Sequence, residues 1–396
     1  MKRLVRIKCL LMALFVLSVC MSSCIYEDEP IYPPEKERLI LIYAVAANNL
    51  QYNLTLDMQE ILKIASTLDL DRNKVLVYSV VNSGECKLQQ LVKDKKGNYN
   101  FDDVITFSDL PLSTSPERMQ EVYDYVNENY DYPEKGLILW SHATGWVPWF
   151  GGNTPDQAEQ DKRKAFGQDK FEGGEYWMNI TDLAEAIPTG MFDFIWFDCC
   201  YMANIETIYQ LREKTPYIIG YVTEIASDGM PYHLTMPYLL KKEPNLVGAA
   251  ENLYDYYSNK GIAVSVSIID TSKLDLLAEA SSNIFSQGIL PPDFIPSGIQ
   301  NYGRQGYKFY DMKQLLDIYQ DVGEGLKMQL NAAFEEAVIY KAISDYDFND
   351  KPINVSDYSG LSMHNYTDDG SQNNAFYREL DWFKSTRSKA NVEVPD

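Results

Sequence analysis

The chain has 396 residues, 45% hydrophobic and 23% charged, enough apolar material for one large α/β domain or two ordinary ones. With 57 Asp and Glu against 35 Lys and Arg, the formal net charge is −22. That argues against nucleic acid as a partner, because phosphate binding needs basic surface; it suits solubility, calcium association or cationic substrates without choosing among them.

The first residues are expected to leave the mature chain. Lys2, Arg3, Arg6 and Lys8 make a basic start, and Cys9 to Met21 an apolar stretch too short for a stable membrane span. Residues 1–23 therefore read as a signal peptide. Met21-Ser22-Ser23-Cys24 resembles a bacterial lipobox, which makes Cys24 the expected lipid-bearing residue. An ordinary signal cut nearby is the competing reading, and Cys20 fits less well because Val19 precedes it. The acidic run Glu27-Asp28-Glu29 resembles signals that send lipoproteins to the outer surface of Bacteroides-like bacteria. Residues 24–38, with Pro30, Pro33 and Pro34, read as a tether. The expectation is an exported protein on the outer membrane, touching it through the lipid alone.

Across 39–270 strand and helix signals alternate. Leu39–Ala46 is a β-type apolar run, Leu54–Leu68 has helical spacing, Val75–Val81 is a strand and Cys86–Tyr99 a polar hairpin. A helix is predicted over Pro116–Asn127, with Ser115 as N-cap and Pro116 in the first helical position. Leu137–Trp140 is a strand. Trp149–Tyr176 is Gly-rich and charged and reads as a long loop, usually functional or mobile in a compact domain. Ile180–Ile187 (capped by Thr181), Ala203–Arg212 and Leu246–Tyr257 read as helices; Phe194–Phe197, Tyr217–Tyr221 and Ile262–Ile269 read as strands. Such alternation predicts a mostly parallel sheet with helices on both faces. Residues 271–396 read as a largely helical extension packed on that core. Helix continues to Ala342 apart from a break at Gly288–Gly306, followed by a late strand Tyr358–Asn365 and a closing helix Ala375–Lys384.

Of the six cysteines, Cys9 and Cys20 leave with the signal and Cys24 carries lipid. Cys86, Cys199 and Cys200 remain, which is no disulfide framework despite an oxidising compartment. Cys199 and Cys200 project to opposite faces of an extended chain, so they neither pair nor share a metal. Two apolar runs each end on a reactive side chain: Gly136-Leu-Ile-Leu-Trp-Ser-His142 and Phe194-Ile-Trp-Phe-Asp-Cys-Cys200. If these strands lie parallel and adjacent, His142 and Cys200 share the sheet edge where open α/β folds build their sites. A thiol beside an imidazole is a minimal apparatus for acyl transfer. The other histidines are His233 and His364. A strand-end histidine is more often structural, and it is the matching cysteine strand that favours chemistry here.

The motifs resemble the clostripain family of cysteine peptidases, which share the caspase-like fold. Leu139-Trp140-Ser141-His142-Ala143-Thr144-Gly145-Trp146 is similar to the family's histidine motif, and Asp198-Cys199-Cys200-Tyr201-Met202-Ala203 to its cysteine motif. Tyr43 with Asn48-Asn49-Leu50, Gly229-Met230-Pro231-Tyr232 and Ser359-Gly360-Leu361-Ser362 extend the likeness over nearly the whole mature chain.

The resemblance implies Cys200 as nucleophile and His142 as general base and later acid. An ordinary thiol, with a pKa of about 8.5, needs that neighbour to populate its thiolate at neutral pH. A helix beginning just after Cys200 would favour the anion further. The backbone N–H of Ala143 is the implied oxyanion donor, typically worth about 3 kcal/mol in the transition state. Alanine there departs from the family's usual glycine, which puts activity in question if the backbone needs a left-handed conformation. Cys199 stands where alanine is usual and reads as buried filler.

Family specificity implies substrates with Arg, or Lys, before the scissile bond. A carboxylate pairs bidentately with guanidinium; Asp198 is the first choice to line that S1 pocket and Asp228 the second. The bland alternatives are a turn-capping Asp198 and a solvated Asp228. Lys162, Arg163 and Lys164 are candidate self-processing sites in the long loop, though such a run is more often a solvated face. No cofactor is implied beyond calcium, for which no ligands can be assigned. The competing functions are an inactive peptidase-fold binding lipoprotein and a glycan-binding lipoprotein; the latter leaves the Cys200/His142 pair unexplained.

Overall fold

Along the first strand, β1 (Arg38–Val45), every residue is buried. Leu39, Leu41, Tyr43 and Val45 join one apolar layer, and Ile40, Ile42 and Ala44 the other. That alternation is what a strand covered on both faces requires. The computed structural model describes residues 35–148, 165–289, 298–303, 308–366 and 370–387. Cys24 and Lys162, Arg163 and Lys164 lie outside them.

Eight further strands complete a nine-stranded sheet: β2 (Lys74–Val80), β3 (Cys86–Lys93), β4 (Tyr99–Phe107), β5 (Glu134–Trp140), β8 (Phe194–Asp198), β9 (Tyr217–Gly220), β10 (Ser265–Asp270) and β12 (Val338–Ile343). Their order is β12-β10-β9-β8-β5-β1-β2-β3-β4. The central strands β2, β1, β5, β8 and β9 run parallel, and antiparallel strands close both sides. Short hairpins and bridges come from β6 (Phe166–Phe171) with β7 (Gly174–Met178), and β11 (Tyr310–Asp311) with β13 (Ser362–Met363). One layer of helices packs Pro116–Asn129, Ile180–Ala186, Leu274–Gln287 and Glu324–Ala337 against the sheet. The opposite layer holds Gln51–Ile64, Tyr232–Leu239 and Leu246–Ser258. The mostly parallel sheet with helices on both faces is as expected.

Several elements differ from the sequence reading. The helical pattern does not run to Ala342: the helix ends at Ala337, and Val338–Ile343 pairs antiparallel with β10 as the sheet's last strand. The β-branched and aromatic run Val338-Ile339-Tyr340 suits a half-buried pleat better than a helix face. The expected long loop contains the β6–β7 hairpin. The polar hairpin extends to Phe107. The helix Tyr232–Leu239 was not anticipated because Pro237 lies inside it. Asn179, not Thr181, occupies the N-cap of Ile180–Ala186, whereas Ser115 caps its helix as predicted, accepting from the Arg118 N–H. The late strand shrinks to Ser362–Met363, and the closing helix divides into Gln372–Glu379 and Asp381–Arg387.

Candidate active site

Strand order reverses at β1, whose neighbours are β2 on one side and β5 on the other. A crevice opens at the carboxyl ends of parallel strands where successive connections leave in opposite directions. The residues that follow β1, β5 and β8 therefore define the site. Trp140 of β5 lies opposite Asp198 of β8 in parallel register. His142 and Cys200 each lie two residues further on, so both leave the same sheet edge from adjacent strands, about 4.8 Å apart.

The His142 segment is fixed on both sides. Ser141, buried, donates its Oγ hydrogen to the Val45 carbonyl (2.7 Å) and accepts from the Gln168 N–H (3.1 Å). The β6 strand continues the bracing: Gly167 N–H donates to the His142 carbonyl and Thr144 N–H to the Ala165 carbonyl, both at 3.0 Å. These bonds flank an antiparallel bridge between Ala143 and Phe166. In such a non-hydrogen-bonded pair the two bridged residues turn their own N–H and C=O groups outward. The Ala143 N–H thus points away from β6. Its methyl is buried in the apolar layer, and Ala143 is not among the described non-glycine residues with positive φ. An alanine fits this backbone. The His142 ring lies 6.5 Å from Trp177 of β7, centroid to centroid, and its Nε2 is 2.9 Å from the Asn49 side-chain oxygen.

Cys200 is partly exposed. Its sulfur accepts from the Ile225 N–H at 3.5 Å and lies 4.0 Å from the Ile225 carbonyl oxygen, toward which the thiol can donate. Tyr201 adopts a left-handed φ of 61°, and its N–H donates to the Thr223 carbonyl (3.0 Å). Asn204 then donates its Nδ2 hydrogen to the Tyr201 carbonyl (2.6 Å) and accepts from the Thr207 N–H (2.9 Å), capping the helix Ile205–Gln210. That helix starts five residues after Cys200 and is shorter than the expected Ala203–Arg212. A helix dipole fades within its first turn, so it does not supply the charge stabilisation anticipated from sequence; the Ile225 N–H is the nearer donor. Cys199 is fully enclosed, and burial pushes its thiol up, as a filler's would be.

The histidine and cysteine loops also touch. Gly145 has a φ of 66°, and a Cβ added there would lie 2.5 Å from Asn204 Nδ2 and 3.1 Å from the Tyr201 carbonyl oxygen. Only glycine tolerates both that conformation and that approach.

Asp198 is 4% exposed and accepts from the Met230 N–H and the Tyr232 hydroxyl, each at 2.9 Å. Burial raises its carboxyl to about 6, opposed by those two bonds. Asp228 is exposed in the next loop. The adjoining Gly229 packs so closely that a Cβ would sit 3.0 Å from Asp198 Oδ2. Sequence reasoning missed two neighbours on the helix Gln51–Ile64. Asp57, buried, accepts from the Trp140 indole N–H (2.9 Å). Burial, then the charges of Asp198, Glu60 and Asp228, lift its carboxyl to about 9 against the Trp140 bond. Glu60 is 2.9 Å from His233 Nδ1. Four carboxylates thus share one electrostatic environment beside the cysteine strand. Asp57 was legible only as one polar position on an amphipathic helix.

The third histidine is structural by its contacts. His364 gives its backbone N–H to buried Glu206 (2.8 Å), which also accepts from the Tyr377 hydroxyl (2.9 Å), and its ring lies 4.9 Å from that of Trp146. A separate cavity of about 540 Å³ is lined in part by Tyr254, Ile262, Tyr346 and Phe348. It opens where β10 begins and β12 ends, and includes neither His142 nor Cys200. Among the described residues no trio of His, Cys, Asp or Glu is arranged to hold a metal ion, and no helix is long and apolar enough to cross a membrane.

The sequence matches the model of the clostripain family over residues 42–389, most of its length. The chain belongs to the clostripain family. It is therefore a member of a cysteine protease family with the caspase-like fold. A secreted cysteine protease of this family from Bacteroides thetaiotaomicron, in complex with an irreversible peptide inhibitor, is 28% identical with a TM-score of 0.76; the match covers 89% of this chain and 99% of that one. An inactive zymogen from Parabacteroides distasonis is also 28% identical, with a TM-score of 0.76 over 90% of this chain and 99% of that one. Among proteins of curated function no significant match is found.

Proposed function

We propose that the protein is an exported cysteine endopeptidase that cleaves after Arg or Lys through Cys200 and His142. One observation carries the reading: the parallel register that sets Trp140 opposite Asp198 sends His142 and Cys200 out of one sheet edge. In the acylation step Cys200 Sγ bonds to the scissile carbonyl carbon while its proton passes to His142. The carbonyl oxygen takes the displaced electron pair, and the outward Ala143 N–H is its proposed donor. As the C–N bond breaks, the leaving amine takes the proton from His142. Water then attacks the thioester with His142 as base, releasing the acid and restoring the thiol. The ordinary backbone of Ala143 supports activity over an inactive binding role, because its departure from glycine imposes no left-handed strain.

Asp198 and Asp228 are proposed to read the basic side chain. Support comes from the carboxylates gathered with them: an entering guanidinium would neutralise the charges of Asp198 and Asp228, which add to burial in raising the Asp57 carboxyl. Export by the signal peptide, lipidation at Cys24 and outer-membrane anchoring belong to the same proposal, and the secreted relative supports export. Cleavage at Lys162, Arg163 or Lys164 is proposed as a maturation step, in keeping with a relative described as an inactive zymogen. Hydrolysis of Arg- and Lys-terminated fluorogenic peptides tests the reading. Turnover by the wild type and none by Cys200→Ala is expected; no wild-type turnover, with or without calcium and after limited proteolysis, overturns it.

A further inference from the structure

We propose that the cavity between the start of β10 and the end of β12 is an extended subsite for a basic side chain of the substrate polypeptide, about four residues from the scissile bond. The proposal rests on the peptidase reading above and adds to it a second point of substrate recognition.

Sheet register puts the cavity at the right edge. Trp196 of β8 pairs with Ile219 of β9, Ile219 with Ile268 of β10, and Ile268 with Tyr340 of β12. Because β10 runs against β9 and β12 against β10, the start of β10 and the end of β12 face the same way as the carboxyl end of β8. Hydrogen bonds beyond the strand ends trace that edge. The Tyr201 N–H donates to the Thr223 carbonyl (3.0 Å), the Thr223 N–H to Ser265 Oγ (3.3 Å), and the Ser344 N–H to the Val264 carbonyl (2.9 Å). Three strand spacings of about 4.8 Å lie between β8 and β12, about 14 Å in all, which an extended peptide covers in about four residues. The helix Leu246–Ser258 links the two places. Its Tyr257 hydroxyl donates to the Gly229 carbonyl, beside Asp228, while Tyr254, one turn earlier, lines the cavity and donates to the Ile343 carbonyl (3.4 Å).

The lining selects the ligand. A volume of about 540 Å³ is ample for a long side chain and part of its backbone. Tyr254, Tyr346 and Phe348 supply aromatic walls, and Asp345, Asp347 and Asp350 supply carboxylates. No Lys, Arg or His is among the described residues that line it. The lysines nearest in sequence are engaged elsewhere: Lys260 Nζ lies 3.6 Å from the Tyr256 ring centroid, and Lys351 donates to the Asn301 carbonyl. An aromatic ring attracts a cation, a carboxylate holds it by a charge-assisted hydrogen bond, and the aliphatic stem of Lys or Arg covers apolar surface. A neutral sugar would use the rings and leave the carboxylates without a counter-charge. A basic side chain uses both.

The walls are also set before a ligand arrives. Tyr346 and Phe348 are 54% and 37% exposed, held outward by a tight turn. The Asp347 N–H donates to the Lys351 carbonyl (3.0 Å) and the Ile353 N–H to the Asp345 carbonyl (2.8 Å). Asp347 Oδ1 accepts from the Asn349 and Lys351 N–H groups (2.8 and 3.0 Å), and Asp350 has a φ of 56°. Ser344 Oγ, at the base of the turn, accepts from the Val264 N–H (2.9 Å) and so fixes it to β10. Little ordering is left for binding to impose.

Peptides with Arg before the scissile bond, and one Lys walked along an otherwise uncharged chain about two to six residues away on either side, test the proposal. Lys at about the fourth residue should raise kcat/KM about 5- to 30-fold over Ala there, through KM. The gain should be lost in Tyr346→Ala and in the double variant Asp345→Asn/Asp350→Asn, all exposed positions. Taking the Lys-to-Ala ratio within each variant cancels any general loss of activity. Fluorescence anisotropy of the same dye-labelled peptides on Cys200→Ala reads binding without turnover and should show the same gain. No gain at any position, or a gain undiminished in both variants, overturns the proposal. Binding of neutral oligosaccharides that Tyr346→Ala abolishes would overturn it in favour of a glycan site. If no form hydrolyses peptide but Cys200→Ala shows the gain, the peptidase reading fails and the cavity remains a site for basic side chains; turnover without the gain has the opposite meaning.

Discussion

Gly145→Ala should damage both stability and activity, because it strikes the contact between the histidine and cysteine loops. The φ of 66° carries a left-handed penalty of about 1–2 kcal/mol for a residue with a Cβ. The new methyl would lie 2.5 Å from Asn204 Nδ2 and 3.1 Å from the Tyr201 carbonyl. Relieving that overlap adds about 1–3 kcal/mol of overpacking, and pushing Asn204 aside breaks its bond to the Tyr201 carbonyl directly after Cys200. The sum is about 2–5 kcal/mol. Gly173→Ala supplies the control, since its φ of 82° is also left-handed but a Cβ there meets nothing within 4 Å. It should show the backbone penalty alone and keep full activity. Urea unfolding of both variants, with peptide turnover, separates the two contributions. Equal destabilisation by both, with Gly145→Ala fully active, would refute the packing of the two loops described above.

Three other outcomes follow from the site. Asp57→Asn should flatten the pH dependence of stability: the folded carboxyl holds its proton to about 9 while the unfolded one releases it near 4, so stability falls by up to about 1.4 kcal/mol per pH unit between. Urea midpoints at pH 5 and pH 8 should therefore converge in the variant and diverge in the wild type; parallel behaviour would show Asp57 to be ionised in the fold. Ala143→Gly should lose about 1–2 kcal/mol through backbone freedom and a buried methyl, with kcat little changed. A tenfold gain in kcat would instead mark alanine as an impediment. Asp198→Asn should erode discrimination between Arg and neutral residues before the scissile bond, measured on matched peptides, and unchanged selectivity would remove it from the S1 assignment.

The parts of the site that were legible in sequence are those written in local pattern. Gly136 to Trp140 and Phe194 to Phe197 announce themselves as buried strands because both faces are covered and no position carries a charge. The Ala143 question could be posed from sequence, but its answer needed the backbone, since φ and the partner Phe166 are properties of the fold. Val338–Ile343 was hidden by a helical apolar spacing that continues from the preceding helix; only the free edge of β10 decides for strand. The β6–β7 hairpin was masked by glycines and charges, yet it braces His142. Asn49 stood in the sequence only within a family-like motif and Asp57 only as a helix position, because their partners, His142 and Trp140, lie far along the chain and meet them only through sheet order.

The central claim is that Cys200, activated by His142, is a nucleophile toward peptides with a basic residue before the scissile bond. Covalent labelling with an arginyl acyloxymethylketone, mapped by mass spectrometry, tests it most directly. A single adduct on Cys200 is expected, abolished in Cys200→Ala and strongly slowed in His142→Ala, with Cys86 and Cys199 unmodified. An adduct on either buried thiol, or labelling of Cys200 indifferent to His142, would contradict it.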